Sequence, residues 1–502
     1  MNTRTFIVRI TRPLLGALRE YFLSNTDNCE RIGFAFGERV DTEQETYFLF
    51  AETPLLPADD CYSFRSSSRA ELPKEIVDVV TLRFARSPHS VMLNMHSHPF
   101  SNGGTAFSGQ DDDDDRRFAQ YIHGPLRHML KGRPDIGVDR PLSCLSWVFD
   151  HGGLAARVIE ADGSFTAIEK IEVIGHHFEI IRPYNAPRPM ERSRSRVHDR
   201  QRDFIPLSTQ EELANLCVGV LGIGGVGRVI AEGLARMGVG EIVAVDHDRL
   251  EESNLNRWIG GARRDIGRNK AELLMESLET QVSTKVHAIN TRLEDATEHL
   301  IRCQLIIACL DDDFPRIQVN RLAAQYLIPW FDIGTIIRTG DEGLDFRHRI
   351  LGVWPGSSAC IECTQFEIIA ADAYIRGVAD KALRAGRKSA GYVVDQPEID
   401  SPSVIGLNLT VAGELLSEFI NYFVTSRPTP TQIYKRWRDD YHQRVDAEGF
   451  REIPAANCPA CGMPLAAGNR IALPRDGSSD QTTWNELAEF RAQRTHKLAE
   501  GQ

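Results

Sequence analysis

Hydrophobic and polar positions follow two rhythms along the chain. In the first third, short apolar runs such as RIGFAFG, VMLNMHSHP and LSCLSWVFD read as strands, and DDDDRRFAQYIHGPLRHML carries a helical spacing. From about 206 to 425 the rhythm turns regular. There CVGVLG, EIVAVD, LIIACL and PWFDIGT read as strands, with GGVGRVIAEGLARMG, NKAELLMESLETQV and RIQVNRLAAQYL as helices between them. Such alternation predicts a mostly parallel sheet with helices on both faces. The pattern divides the chain into a first α/β domain over 1–165, an Arg/Pro-rich connecting segment over 166–205, a second α/β domain over 206–470 and a polar tail over 471–502.

Composition narrows the class. The chain has 502 residues, 42% of them hydrophobic and 25% charged, which fits a multidomain globular protein. A formal net charge of −12 argues against a nucleic-acid partner held by bulk electrostatics. Seven arginines between Arg182 and Arg202 are the local exception, read as an exposed linker. The first residues hold no signal-peptide pattern, and no apolar run has the length of a membrane span. Four of the ten cysteines form two C-x-x-C pairs, which points to metal binding in a reducing compartment, so a cytoplasmic location is expected.

The segment HSHPFSNGGTAFSGQD carries candidate metal chemistry. His96 and His98 lie two apart, so on a strand both imidazoles face the same side. Asp111 follows at a helix start, three residues after Ser108. Two imidazoles and a carboxylate leave a fourth tetrahedral position open, as catalytic zinc requires. The pattern resembles the JAB/JAMM isopeptidase family: an upstream Glu30, His96-Ser97-His98-Pro99, then Ser108-Gly109-Gln110-Asp111. By that resemblance the first domain has a JAB/MPN-like α/β/α fold, His96, His98 and Asp111 bind catalytic zinc, Glu30 is the general base and Ser108 steadies the oxyanion. Glu38 and Glu43 are nearby alternatives for the base. Asp112 to Asp115 read as a solvated helix entrance.

A second constellation begins at LGIGGVGRV. Gly222, Gly224, Gly225 and Gly227 form a phosphate-binding turn, and Asp246, at the end of the next strand, is placed for a ribose hydroxyl. Alone, such a turn serves a dinucleotide-dependent dehydrogenase equally well. The run Asp246-His247-Asp248, Ser253-Asn254-Leu255-Asn256-Arg257 and Gly267-Arg268-Asn269-Lys270 resembles the ubiquitin-activating superfamily, which includes the bacterial thiamine-pathway and molybdopterin-synthase adenylyltransferases of the ThiF/MoeB type. The resemblance implies a Rossmann-like adenylation domain in which Asp248 and Asn254 shape the ATP site. Arg257 and Lys270 would hold phosphates and Asp311 would hold Mg2+. Positive charge on departing pyrophosphate is what carboxylate attack on the α-phosphorus demands. Arg200, in HDRQ, would reach the triphosphate of a partner subunit, which implies a homodimer.

Cys360 and Cys363, with Cys458 and Cys461, suit a structural zinc knuckle of four thiolates, with a redox dithiol as the alternative. Thioester-forming members of the superfamily carry a cysteine in the crossover loop, but residues 364–403 contain none. The combined reading is a bifunctional enzyme using two zinc ions, ATP and Mg2+. One half cleaves after the C-terminal glycine of a ubiquitin-like β-grasp protein. The other adenylates that carboxylate, for transfer to a conjugating enzyme or acceptor. Sulfur-carrier processing and activation in biosynthesis is one alternative. A non-catalytic scaffold for tagged proteins is another.

Overall fold

The computed structural model describes residues 4–24, 27–126, 142–187, 196–311, 313–340, 343–363, 403–424, 432–438, 441–445 and 465–470. Its first sheet is built from β1 (Thr5–Thr11), β2 (Ile32–Asp41) and β3 (Glu45–Phe50), then, past a small hairpin of β4 (Phe64–Ser66) and β5 (Arg69–Glu71), from β6 (Val91–Ser97), β7 (Ser143–Asp150), β8 (Gly153–Ile159), β9 (Phe165–Ala167), β10 (Lys170–Ile174) and β11 (Glu179–Ile181). The order across the sheet is β11-β10-β1-β3-β2-β6-β7-β8-β9.

Side chains alternate between faces along each strand. On β6, Val91, Leu93 and Met95 join Val8, Phe50 and Trp147 beneath the helix Arg12–Leu23, which contributes Leu14, Leu18 and Phe22. Met92 points the other way, to a core shared with Val80 and Phe84 of the helix Lys74–Arg86 and Ala119 of the helix Gly109–Tyr121. The result is three layers, α/β/α. The sheet continues beyond residue 165, the boundary expected from the sequence. β10 pairs in parallel with β1 and antiparallel with β11, so 166–181 belongs to the first unit and not to a connector. The short, partly polar runs FTA and EII hide that membership, because edge strands need only one paired side.

The second sheet has the order β14-β13-β12-β15-β16-β17-β18-β19. Its strands are β12 (Cys217–Leu221), β13 (Glu241–Val245), β14 (Lys285–Ile289), β15 (Leu305–Ala308), β16 (Trp330–Gly340), β17 (Gly343–Val353), β18 (Gln432–Arg438) and β19 (Tyr441–Val445). From β14 to β16 all pairings are parallel; from β16 to β19 they are antiparallel. The order reverses between β12 and β15, and the crevice beyond the carboxyl ends of strands at such a point is the usual ligand site of an open α/β sheet. Helices Gly225–Met237, Lys270–Glu279 and Ile405–Val424 pack on one face, around Val218, Ile230, Leu274 and Leu415. The other face shares a core with the first sheet, where Ile7, Val40, Tyr47, Leu49 and Ile174 meet Leu221, Val243, Val319 and Trp330.

A buried ionic knot lies in this seam. Arg9 donates to Glu172 at 2.8 Å, to the Tyr326 carbonyl at 3.1 Å and to the Cys303 carbonyl at 2.9 Å. Gln304 Nε2 reaches the other Glu172 oxygen at 3.0 Å, and Lys170 does so at 2.8 Å. Every polar group of this knot therefore has a partner, which is the condition for burying charge. Among the described residues no helix is long and apolar enough to cross a membrane.

Candidate functional site

Two clusters of polar residues stand at the ends of the two sheets. In the first, the alternation of β6 turns His96 to the face that also receives the helix Gly109–Tyr121, and His98 follows two residues on. That helix begins in a capping box: Asp111 N donates to Ser108 Oγ at 3.2 Å, and Ser108 N to Asp111 Oδ2 at 2.6 Å. The box leaves Asp111 Oδ1 facing His96 Nε2 at 3.3 Å. Ligand atoms of His96, His98 and Asp111 all lie within 4.8 Å of one another. Glu30, just before β2, comes 3.8 Å from His98 Nε2. Glu38 is instead bonded to Ser90 at 2.7 Å, and Glu43 stands in the exposed turn between β2 and β3.

The electrostatics follow from crowding. Burial pushes the Glu30 carboxyl up to about 7, with His96 opposing and Asp111 adding to the rise. Burial also acts upward on Asp111, but His96 and the Ser108 hydrogen bonds hold it well below the ordinary carboxylate range. For His96 burial favours the neutral ring, yet the Asp111 carboxylate outweighs it and raises the imidazole. Burial and the His96 charge lower His98.

The donor set fits a divalent metal. His96 Nε2 is buried and, apart from the Asp111 Oδ1 facing it, has no hydrogen-bond partner. His98 Nδ1 is held by Thr105 Oγ1 at 2.8 Å, and Asp111 Oδ2 by its own cap. Each held atom leaves its sister atom for a metal, the outer-shell arrangement usual at such centres. The aspartate run is not uniformly solvated, as its polarity implied. Arg157 binds Asp115 at 2.7 Å and Asp112 at 2.5 Å, Asp115 is buried, and the guanidinium lies 3.7 Å from the Phe107 ring and 3.8 Å from that of Phe165. Arg157 and Thr105 carry no site signal in the sequence, because only the fold brings Arg157 to Asp112 and Asp115 and Thr105 to His98.

The second cluster surrounds the turn after β12. Gly222 has φ +79°, which only glycine adopts without strain. A Cβ on Gly227 would collide with the Gly222 carbonyl, whereas one on Gly224 would meet open space. Close packing thus explains Gly227, and room for a ligand explains Gly224. Gly225 opens the helix Gly225–Met237, whose first amides are available to an anion. Asp246 clamps the turn, accepting from Ile223 N at 2.6 Å and Asp248 N at 2.8 Å. Burial raises its carboxyl, partly offset by the Asp248 amide and Lys270.

Lys270 Nζ meets Asp248 Oδ2 at 3.0 Å. Asn254 accepts from Glu251 N at 3.3 Å in a short helical turn, and Arg257 donates to the Ser253 carbonyl at 2.7 Å while its stem lies against Gly225. Asp311 is exposed just beyond β15. Arg200 is exposed in the turn Arg196–Gln201, while the adjacent Gln201 is anchored on Gln210 and the Met237 carbonyl. Two further residues build the site. Asn269 caps the Lys270–Glu279 helix and also donates to the Asp246 and Asp248 carbonyls at 2.9 and 3.1 Å. Trp258 Nε1 donates to the Ile223 carbonyl at 2.7 Å. An asparagine directly before a helical run is a signal that identifies the first; nothing local marks the second.

Cys360 and Cys363 are buried with sulfurs 3.7 Å apart, close to the ~3.8 Å edge of a tetrahedron with metal–sulfur bonds of ~2.3 Å. Cys458 and Cys461 lie outside the described residues.

Comparison with known proteins bears on the second half. Residues 198–433 match the ThiF family. The NEDD8-activating enzyme E1 catalytic subunit of Caenorhabditis elegans is 32% identical over 163 residues, which are 31% of this chain and 37% of that protein. Ubiquitin-like modifier-activating enzyme 5 of Dictyostelium discoideum is 26% identical over 233 residues, 43% of this chain and 55% of the relative. The chain therefore spans about half, or less, of the length of these relatives. Among solved structures, E. coli MccB with ATP aligns at a TM-score of 0.40 and 20% identity, covering 51% of this chain and 69% of that one. Residues 198–433, which hold the glycine turn, Asp246 and Lys270, are thus similar to the ThiF family of adenylyltransferases.

Proposed function

We propose that the protein activates the C-terminal carboxylate of a small ubiquitin-like protein by adenylation with ATP, and that its first half is a zinc-dependent peptidase or isopeptidase acting after the same C-terminal glycine. The ThiF match of 198–433 carries the first statement. The convergence of His96, His98 and Asp111, with Glu30 beside them, carries the second.

For adenylation, the Gly222–Gly227 turn and the helix behind it receive the phosphates, and Asp246 and Asp248 line the nucleotide side. Lys270 and Arg257 offset charge on the departing pyrophosphate, with Asp311 the ligand for Mg2+. Arg200, exposed beside its anchored neighbour, would serve a second copy of the chain in a homodimer. For hydrolysis, His96, His98 and Asp111 would hold zinc, which would supply Lewis acidity. Glu30, 3.8 Å from His98 Nε2, would take the proton from water and return it to the leaving amine. Ser108 accepts from Asp111 N, so its own O–H remains to donate to the oxyanion.

One observation favours a second reading of the product: residues 364–403 contain no cysteine. A chain that stops at the acyl-adenylate suits a sulfur carrier as well as a tag. Mass spectrometry of a β-grasp protein incubated with enzyme and ATP tests the reading. Free adenylate is expected. A carrier that acquires no adenylate and supports no pyrophosphate exchange would remove the first statement. A precursor extended beyond its glycine that stays uncut in the presence of zinc would remove the second.

A further inference from the structure

The loop from His98 to Ser108 joins β6 to the Gly109–Tyr121 helix without regular structure, and Gly103 and Gly104 hold φ of +125° and +82° within it. Such backbone has no preferred shape of its own, so something else must set it. That something is Asp150, the last residue of β7, whose side chain is completely buried. One carboxylate oxygen accepts from Ser101 Oγ at 3.1 Å, Gly103 N at 2.9 Å and Thr105 N at 3.2 Å. The other accepts from Gly152 N at 2.9 Å, Gly153 N at 2.7 Å and Tyr184 Oη at 2.9 Å. Six donors converge on a single buried anion.

The consequence reaches the histidines. The His98 backbone is fixed by its amide, which donates to the Phe149 carbonyl at 2.8 Å. Its ring stacks on Phe100 at 5.4 Å, which leaves the tautomer open, and the atom bonded to its Nδ1 is Thr105 Oγ1 at 2.8 Å. Thr105 is itself buried and placed by the Asp150 bond to its amide.

We infer that Asp150 is a positioning residue for the metal centre: by folding the 101–105 loop it sets Thr105 against His98 Nδ1, which keeps the proton on Nδ1 and turns the lone pair of Nε2 to the metal. The inference rests on the zinc reading above, but the ring geometry it describes exists without metal. Tyr184, in the segment that leaves the first sheet, closes the same carboxylate from outside. An asparagine at 150 would replace one three-fold acceptor with a donor and release one half of the web. The side-chain partner of a ligating histidine is worth about 10- to 100-fold in metal affinity.

Histidine-labelled full-length protein, stripped of metal, tests this by nitrogen-edited NMR of the imidazoles, with zinc affinity measured afterwards by chelator competition. The wild type should show His98 as the Nδ1–H tautomer. Asp150→Asn and Thr105→Val should mix the tautomers and weaken zinc about 10- to 100-fold, while Thr105→Ser restores both readings. Wild-type tautomer and affinity in Thr105→Val, or no rescue by Thr105→Ser, overturns the proposal. Because Thr105 can be changed without touching the buried anion, the pair Val and Ser decides the matter even if Asp150→Asn fails to fold. A wild type that binds no zinc, yet loses the tautomer in Thr105→Val, would overturn the metal reading alone and support the positioning role.

Discussion

Arg9 and Glu172, 163 residues apart, form an ion pair at 2.8 Å with each side chain at most 2% exposed, in the seam where the two sheets meet. Burial raises the Glu172 carboxyl, but Lys170 and Arg9 overcome it and bring it down to about 2. A carboxyl lower in the folded than in the unfolded protein stabilises above its unfolded value, near 4.5, and that stability fades as pH falls towards 2. The contribution is on the order of 3 kcal/mol. Glu172→Gln should therefore unfold more readily than wild type at neutral pH, and the gap in denaturant unfolding should close between about pH 4.5 and pH 2. A gap that stays constant through that window would contradict the assignment.

Purified protein should hold about two zinc ions per chain, one from each constellation. His96→Ala/His98→Ala should lose one of them and all peptidase activity, with adenylation intact. Elemental analysis reads this directly, and full zinc content in the double variant would place the metal elsewhere.

Glu30→Gln keeps shape but cannot take a proton. Zinc content should be unchanged while cleavage after glycine falls about 10²- to 10⁴-fold, the usual worth of a general base. Glu38→Gln should have no such effect, because that carboxylate is bonded to Ser90. Retained cleavage in Glu30→Gln would move the base to another group.

Lys270→Ala and Arg257→Ala should each abolish carrier-dependent exchange of pyrophosphate into ATP, whereas Cys217, Cys303 and Cys309 changed singly should leave it. Asn269→Ala should weaken exchange and also cost about 1 kcal/mol of stability, because a helix cap is lost along with the brace on Asp246. Exchange at wild-type level in Lys270→Ala would end the adenylation reading of this cluster.

Mixing two inactive proteins tests the role of Arg200. If it acts across a dimer, Arg200→Ala and Lys270→Ala chains should complement, since one site of the mixed pair then holds both cations. Exchange that stays absent after subunit mixing would confine Arg200 to its own chain.

The sequence was readable where chemistry and rhythm were local. His96 and His98 fall on one face because a strand has period two, and the Ser108–Asp111 spacing is both a cap and a motif. Gly222, Gly227 and Asp246 likewise announced a turn between strand and helix. What stayed hidden depends on tertiary contact. Arg157 meets Asp115 across 42 positions, Asp150 meets Thr105 across 45, and no spacing rule joins them. The strand signal of the first sheet fades at 165 because β9 and β11 are three-residue edge strands whose polar content resembles linker.

The capping box at Ser108 has a last consequence. Asp111 Oδ2 is spent on its own helix, so Oδ1 stands in place as soon as that helix forms. Little ordering remains for an arriving ion to impose. Chelation should then empty the centre without melting the fold, and cobalt should enter the folded chain afterwards as a coloured reporter. The scaffold would behave as a reusable socket, unlike small zinc modules that collapse when their ion leaves.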